Sequence, residues 1–186
     1  MTEHLKYYKF DKGLATQYLE IWYDETEKKA TVHKGKVGYQ GQHTIHQILE
    51  KNELQQLYII VAQEAEALGF VLPKEENYFT VVVQYQLKSQ FGNKRDLWLK
   101  DKVQDYVNNH LGWYGLGAVN GFDLGAGKLN IFCEVIQLDK GISGIKSCLR
   151  TSRLDYTQAR IAYKTFGTDA YTLAHAKNMN LGFELI

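Results

Sequence analysis

The chain holds one proline, Pro73, in the segment VLPKEEN (71–77), and the hydrophobic pattern changes character on either side of it. Proline removes a backbone donor and biases its predecessor towards extended backbone, so neither a helix interior nor a central strand can run through this point. Its acidic and amide neighbours read as a surface linker. A chain of 186 residues suffices for two small domains, and the break predicts them over 1–75 and 78–186.

Upstream, QYLEIWYDE (17–25) alternates, with Tyr18, Glu20 and Trp22 on one face and Leu19, Ile21 and Tyr23 on the other. That is strand periodicity. DETEKK supplies a polar hairpin turn, and ATVHKGKVGYQGQ (30–42) reads as the returning strand, broken at Gly35 and Gly38. ELQQLYIIVAQEAEALGF (53–70) reads as a helix, because Leu54, Leu57, Tyr58, Val61, Ala65 and Leu68 recur at helical spacing. Gly69 is the expected stop. The prediction is an antiparallel sheet with one helix.

Downstream, the pattern predicts strands over 78–87, 113–119, 128–138 and 159–166, and helices over 94–112, capped by Gly112, and 140–150. The order β-α-β-β-α-β is that of a ferredoxin-like α/β sandwich, so the whole chain reads as α+β. The tail LGFELI is a candidate edge strand.

Composition narrows the function classes. No run approaches the ~18 apolar residues of a membrane helix, and the start MTEHLKYYKF lacks a signal-peptide core. The chain therefore reads as cytoplasmic with no membrane partner. Cys133 and Cys148 fit buried thiols rather than a metal signature. The formal net charge is +1, so no global field draws the protein to nucleic acid. Locally, 51–76 is acidic (Glu53, Glu64, Glu66, Glu75 and Glu76 against Lys51 and Lys74), and the remainder to the C-terminal side is mildly basic. Thirteen tyrosines suit half-buried strands and also binding surfaces.

The residues of the first domain carry a resemblance. Lys34-Gly35-Lys36-Val37-Gly38, then Tyr39-Gln40-Gly41-Gln42, then a helix ending Leu68-Gly69-Phe70, resemble the frame of a WGR domain. That family has a signature Trp-Gly-Arg-hydrophobic-Gly, a short polar stretch with Gly-Gln, and a helix ending in Gly-aromatic. The family's tryptophan is Lys34 here and its arginine is Lys36. The resemblance implies a nucleic-acid contact by stacking and by an arginine fork. Lysine offers neither, only a mobile point charge. Contact by charge alone, through Lys28, Lys29, Lys34 and Lys36, would be weak and salt-sensitive. His33, Tyr39 and Gln40 complete this candidate contact set for nucleic acid or a protein partner.

The second stretch of note is AVNGFDLGAGKLNIF (118–132), with Asn120, Asp123, Lys128 and Asn130 as a candidate loop site. It is not a phosphate loop: no glycine stands five before Gly127, no Ser or Thr follows Lys128, and a strand comes next. GLGAVNG has one residue too many for a dinucleotide fingerprint, and Asp123 alone specifies no metal. A bulged strand-to-strand connection accounts for the composition. The stretch is also similar to a Gly-Asp-Gly-x-Gly…Asn-Ile-Phe pattern of small bacterial ferredoxin-like domains, some joined to WGR modules, and the similarity implies no activity.

Catalytic sets are thin. His43 and His46 stand three apart with no third ligand near, and read as a loop or first turn before the helix. No serine sits in a nucleophile elbow and no cysteine lies beside a base. Lys94-Arg95 opens a helix, where positive charge is mildly unfavourable. The sequence thus predicts a non-enzymatic binding or regulatory protein with no cofactor and no metal, acting on a protein partner, as an immunity-type inhibitor does. The alternative is a weak nucleic-acid binder using the Lys28–Lys36 hairpin.

Overall fold

The computed structural model describes residues 4–180 and 182–185, which form two compact units divided between Lys74 and Glu75. The fold is mixed α and β, with antiparallel sheets of four and five strands. Three α-helices accompany them among the described residues.

The first unit is a meander of β1 (Leu5–Asp11), β2 (Leu14–Asp24), β3 (Lys29–Lys36) and β4 (Gln42–Gln47), followed by α1 (Lys51–Ala67). Two strands depart from the sequence reading. β1 is additional, joined to β2 through Lys12 and Gly13, both left-handed at φ 48° and 81°. That geometry matches the twist of a tight hairpin. β4 occupies the segment read as loop, so His43 and His46 lie on a strand. β3 also runs unbroken through Gly35, and the chain turns only at Val37–Gly41. The β2–β3 turn is closed by Asp24, whose Oδ1 accepts from the amides of Thr26 (2.9 Å) and Glu27 (3.0 Å).

One face of this sheet packs on α1. Tyr7, Leu19 and Ile21 meet Val61 and Ala65, with Leu5, Val32, Leu57, Tyr58, Ala62 and Phe70 around them. The helix starts where the Glu53 carboxylate accepts from the amides of Leu49 (2.8 Å) and Glu50 (3.1 Å). It stops at Gly69, φ 75°, after which the Phe70 amide reaches back to Ala65 O (2.8 Å). Leu68, read as an inward position, is instead exposed, because it sits at the cap where the chain leaves the helix.

The second unit holds β5 (Phe79–Gln86), α2 (Lys94–Trp113), β6 (Gly117–Gly125), β7 (Lys128–Val135), α3 (Leu138–Thr151), β8 (Arg160–Thr165) and β9 (Thr172–His175), in the sheet order β6-β7-β5-β8-β9. Val81, Val83, Tyr85, Leu129, Ile131 and Cys133 are buried on the helix side, with Leu99, Val103, Val107 and Leu111 of α2 and Ile145 and Leu149 of α3. Gly141 lets α3 approach β7, since a Cβ there would lie 2.7 Å from the Val135 side chain. Asn93 caps α2 by accepting from the amides of Arg95 (2.8 Å) and Asp96 (3.2 Å). The added edge strand is Thr172–His175; within LGFELI, residues 182–185 form no strand, and Leu181 and Ile186 lie outside the described residues.

Candidate functional site

The glycine-rich hairpin rests on a buried polar network. Glu20 and His33 are direct cross-strand partners on β2 and β3, as are Tyr18 and Gly35. The His33 Nδ1 lies 2.7 Å from Glu20 Oε1, and the other carboxylate oxygen receives His4 Nε2 (2.8 Å) and Lys6 Nζ (3.0 Å). Burial opposes the Glu20 charge, but hydrogen bonds from His33 and His4 and the charge of Lys6 outweigh it and hold the carboxyl at about 2. An ionised carboxylate only accepts, so His33 donates through Nδ1.

The His33 Nε2 then meets the Tyr18 hydroxyl at 3.0 Å, and that hydroxyl also reaches Tyr39 O at 3.3 Å. Burial, reinforced by the Glu20 charge, keeps the Tyr18 phenol protonated. Carboxylate, imidazole and hydroxyl in sequence resemble a proton relay, but the hydroxyl ends against backbone. A Cβ on Gly35 would lie 2.9 Å from the Tyr18 oxygen, and one on Gly41 only 2.8 Å from His33 Nε2. The glycine backbones pack directly on the Tyr18 hydroxyl and the His33 ring, and the network supports the hairpin. The glycines are explained by this close approach.

The predicted contact residues separate. His33 is fully buried and supports the hairpin from within, so it is no contact residue. Lys34 pairs with Glu64 of α1 (2.9 Å) and Lys29 with Glu27 (3.0 Å). Lys28 sits in the β2–β3 turn at φ 50°, its carbonyl accepting from the Ile48 amide (2.9 Å). Lys36, Tyr39 and Gln40 are exposed, and the Tyr39 amide closes the turn onto Lys36 O (3.0 Å). His43 and His46, three apart on a strand, point to opposite faces and share no ligand. Among the described residues no group of three or more His, Cys, Asp or Glu could hold a metal ion.

A feature missed from the sequence lies on α1. Its outer surface carries Ile59 and Ile60, 48% and 56% exposed, among Gln55, Gln56 and Gln63. The stretch 54–63 contains no charge. The signal was in the sequence: Ile59 and Ile60 fall outside the inward stripe of Leu57, Val61 and Ala65.

The candidate loop of the second unit is no loop. Asn120 and Asp123 lie on β6 and Lys128 and Asn130 on β7, joined by a tight turn at Ala126 (φ 46°) and Gly127 (φ 77°). The strand is irregular only between Val119 and Phe122, where Asn120 and Gly121 bulge. Asn130 is fully buried. Of Lys94-Arg95, the arginine is accounted for, since Arg95 pairs with Asp155 (2.9 Å) and stacks on Trp98 (4.2 Å). No described helix is long and apolar enough to cross a membrane. No family model, curated protein or solved structure matches the chain.

Proposed function

We propose that the chain is a non-enzymatic binding and regulatory protein whose partner is another polypeptide, a class that includes immunity-type inhibitors, and that it engages this partner through the outer face of α1. In this reading the first unit is a WGR-like module with altered contact residues and the second a ferredoxin-like domain with an added edge strand. The observation that carries it is the exposure of Ile59 and Ile60 in a stretch of α1, residues 54–63, that contains no charge. Protein interfaces deplete charge at their centre, whereas phosphate backbones require it. The test is capture from native lysate with the parent chain and with Ile59→Glu/Ile60→Glu. A stoichiometric protein retained by the parent and lost by the variant supports the reading; equal capture by both removes it.

One observation favours nucleic acid as the second reading: Tyr39, 65% exposed, shares a turn with Lys36 and offers the ring that Lys34 lacks. It predicts binding whose log affinity falls linearly with log salt and drops in Lys34→Glu/Lys36→Glu. No binding at about 50 mM salt dismisses it.

A further inference from the structure

One polar row crosses four strands of the five-stranded sheet. Asp123 lies opposite Asn130, Asn130 opposite Gln84, and Gln84 opposite Arg160. Cross-strand partners share a face. This face is the one turned away from the helices, since the alternate positions Val81, Val83 and Tyr85 face α2 and α3. Sequence reading found Asp123, Lys128 and Asn130 but not Gln84 or Arg160, which the fold alone brings beside them.

Residues 182–185 lie against this row at Gln84 and Arg160 and against Lys128 beside it, held by their main-chain carbonyls. Gln84 Nε2 donates to Asn130 Oδ1 (2.8 Å) and to Glu184 O (2.9 Å). Lys128 Nζ donates to Glu184 O (3.1 Å) and Leu185 O (2.7 Å). Arg160 donates to Gly182 O and to Gln84 Oε1, and its guanidinium lies 5.5 Å from the Phe183 ring. Gln84, Lys128 and Arg160 thus meet the segment through main-chain oxygens, which any residue presents, and Arg160 also lies against the Phe183 ring. Asn130 Nδ2, in the middle of the row, is buried with no hydrogen-bond partner. A buried donor without an acceptor is costly, so the present occupant fills the site incompletely.

We propose that this row is a binding site for an extended peptide segment of a partner, and that residues 182–185 are its intramolecular occupant. The favoured partner segment presents its carbonyls to Gln84, Lys128 and Arg160 and a side-chain acceptor, carboxylate or amide, to Asn130 Nδ2. It displaces 182–185 by satisfying the donor they leave unpaired. The site is separate from the α1 face and stands whether or not that face binds a partner.

The probe is a labelled peptide with the sequence of residues 178–186, NMNLGFELI, titrated by fluorescence polarisation against the full chain and full-chain variants. Phe183→Gly removes the ring beside Arg160 and loosens the internal occupant, so the peptide should bind this variant about tenfold more tightly than the parent. Lys128→Met, a partly exposed position where folding is safe, should reverse that gain in the Phe183→Gly background. Peptides carrying Asp at each position in turn should include one that gains affinity over the probe, a gain absent in Asn130→Leu. Equal binding to parent and Phe183→Gly, or a gain indifferent to Lys128→Met, overturns the site. An Asp series with no gain overturns the assignment of the acceptor. Circular dichroism on each variant confirms that it is folded.

Discussion

His33 faces Glu20 across the β2–β3 hairpin at 2.7 Å, with the imidazole fully buried and the carboxylate nearly so. The pair belongs to a hairpin whose composition, with Lys28, Lys29, Lys34 and Lys36, advertises a surface. A buried charge persists only when partners surround it, and here His33, His4 and Lys6 do so. The polar character of this hairpin is thus divided: lysines outside, and within it the buried Glu20–His33 pair, reached from the surface by His4.

That network predicts an acid dependence. Glu20 lies at about 2 when folded and near the ordinary 4.5 when unfolded, so the unfolded chain binds the extra proton. Stability from this group is complete above about pH 5 and is lost as pH falls towards 2, by on the order of 3 kcal/mol. Glu20→Gln should cost about 3 kcal/mol at neutral pH and flatten this part of the acid profile. Urea unfolding across the range checks it; parallel acid profiles for parent and variant would refute the role given to Glu20.

The α1 face predicts the opposite behaviour. Ile59→Glu/Ile60→Glu changes an exposed surface and should leave stability within about 0.5 kcal/mol while removing partner capture. A large fall in thermal midpoint would mean these side chains are packed.

Much of this was legible in the sequence, and the rest was hidden for identifiable reasons. The helix ending at Gly69 and the strand and helix order after Pro73 follow from periodicity, because each element turns an apolar stripe to a core. β1 was missed because Lys6 and Tyr8 turn inward to the Glu20 face, which gives LKYYKFD no apolar alternation. β4 was missed because QHTIHQ is an exposed edge strand with Ile45 as its one aliphatic residue. The burial of His33 could have been found. Once the turn joins Asp24 to Lys29, register places Glu20 against His33 and Tyr18 against Gly35. The polar row was hidden because Gln84 and Arg160 are distant in sequence from Asn130 and meet it only through sheet order.

The two cysteines should be silent in the folded chain. Burial, with Cys148 adding to it, pushes the Cys133 thiol up to about 12, and burial also raises Cys148. Thiolate is the reactive form, so neither should titrate with a thiol reagent at neutral pH until the chain unfolds. Rapid reaction of one thiol in the native state would place it at the surface.

Two glycines of the first unit, Gly69 at the end of α1 and Gly41 of the hairpin, separate space from backbone freedom. Gly69 has φ 75° and nothing within 4 Å of an added Cβ, so Gly69→Ala should cost only the left-handed conformation, about 1 kcal/mol. Gly41 carries no such φ; its added Cβ would press on the Tyr18 hydroxyl, Lys34 O and His33 Nε2. Gly41→Ala should therefore cost more, about 2–3 kcal/mol, by overpacking. Tyr18→Phe removes one of the opposing atoms, so the double variant should be more stable than the sum of the two single losses predicts. The Lys34 carbonyl remains, and recovery should be partial. Strict additivity by denaturant titration would show that Gly41 is required for its backbone alone, and that Tyr18 does not shape this hairpin.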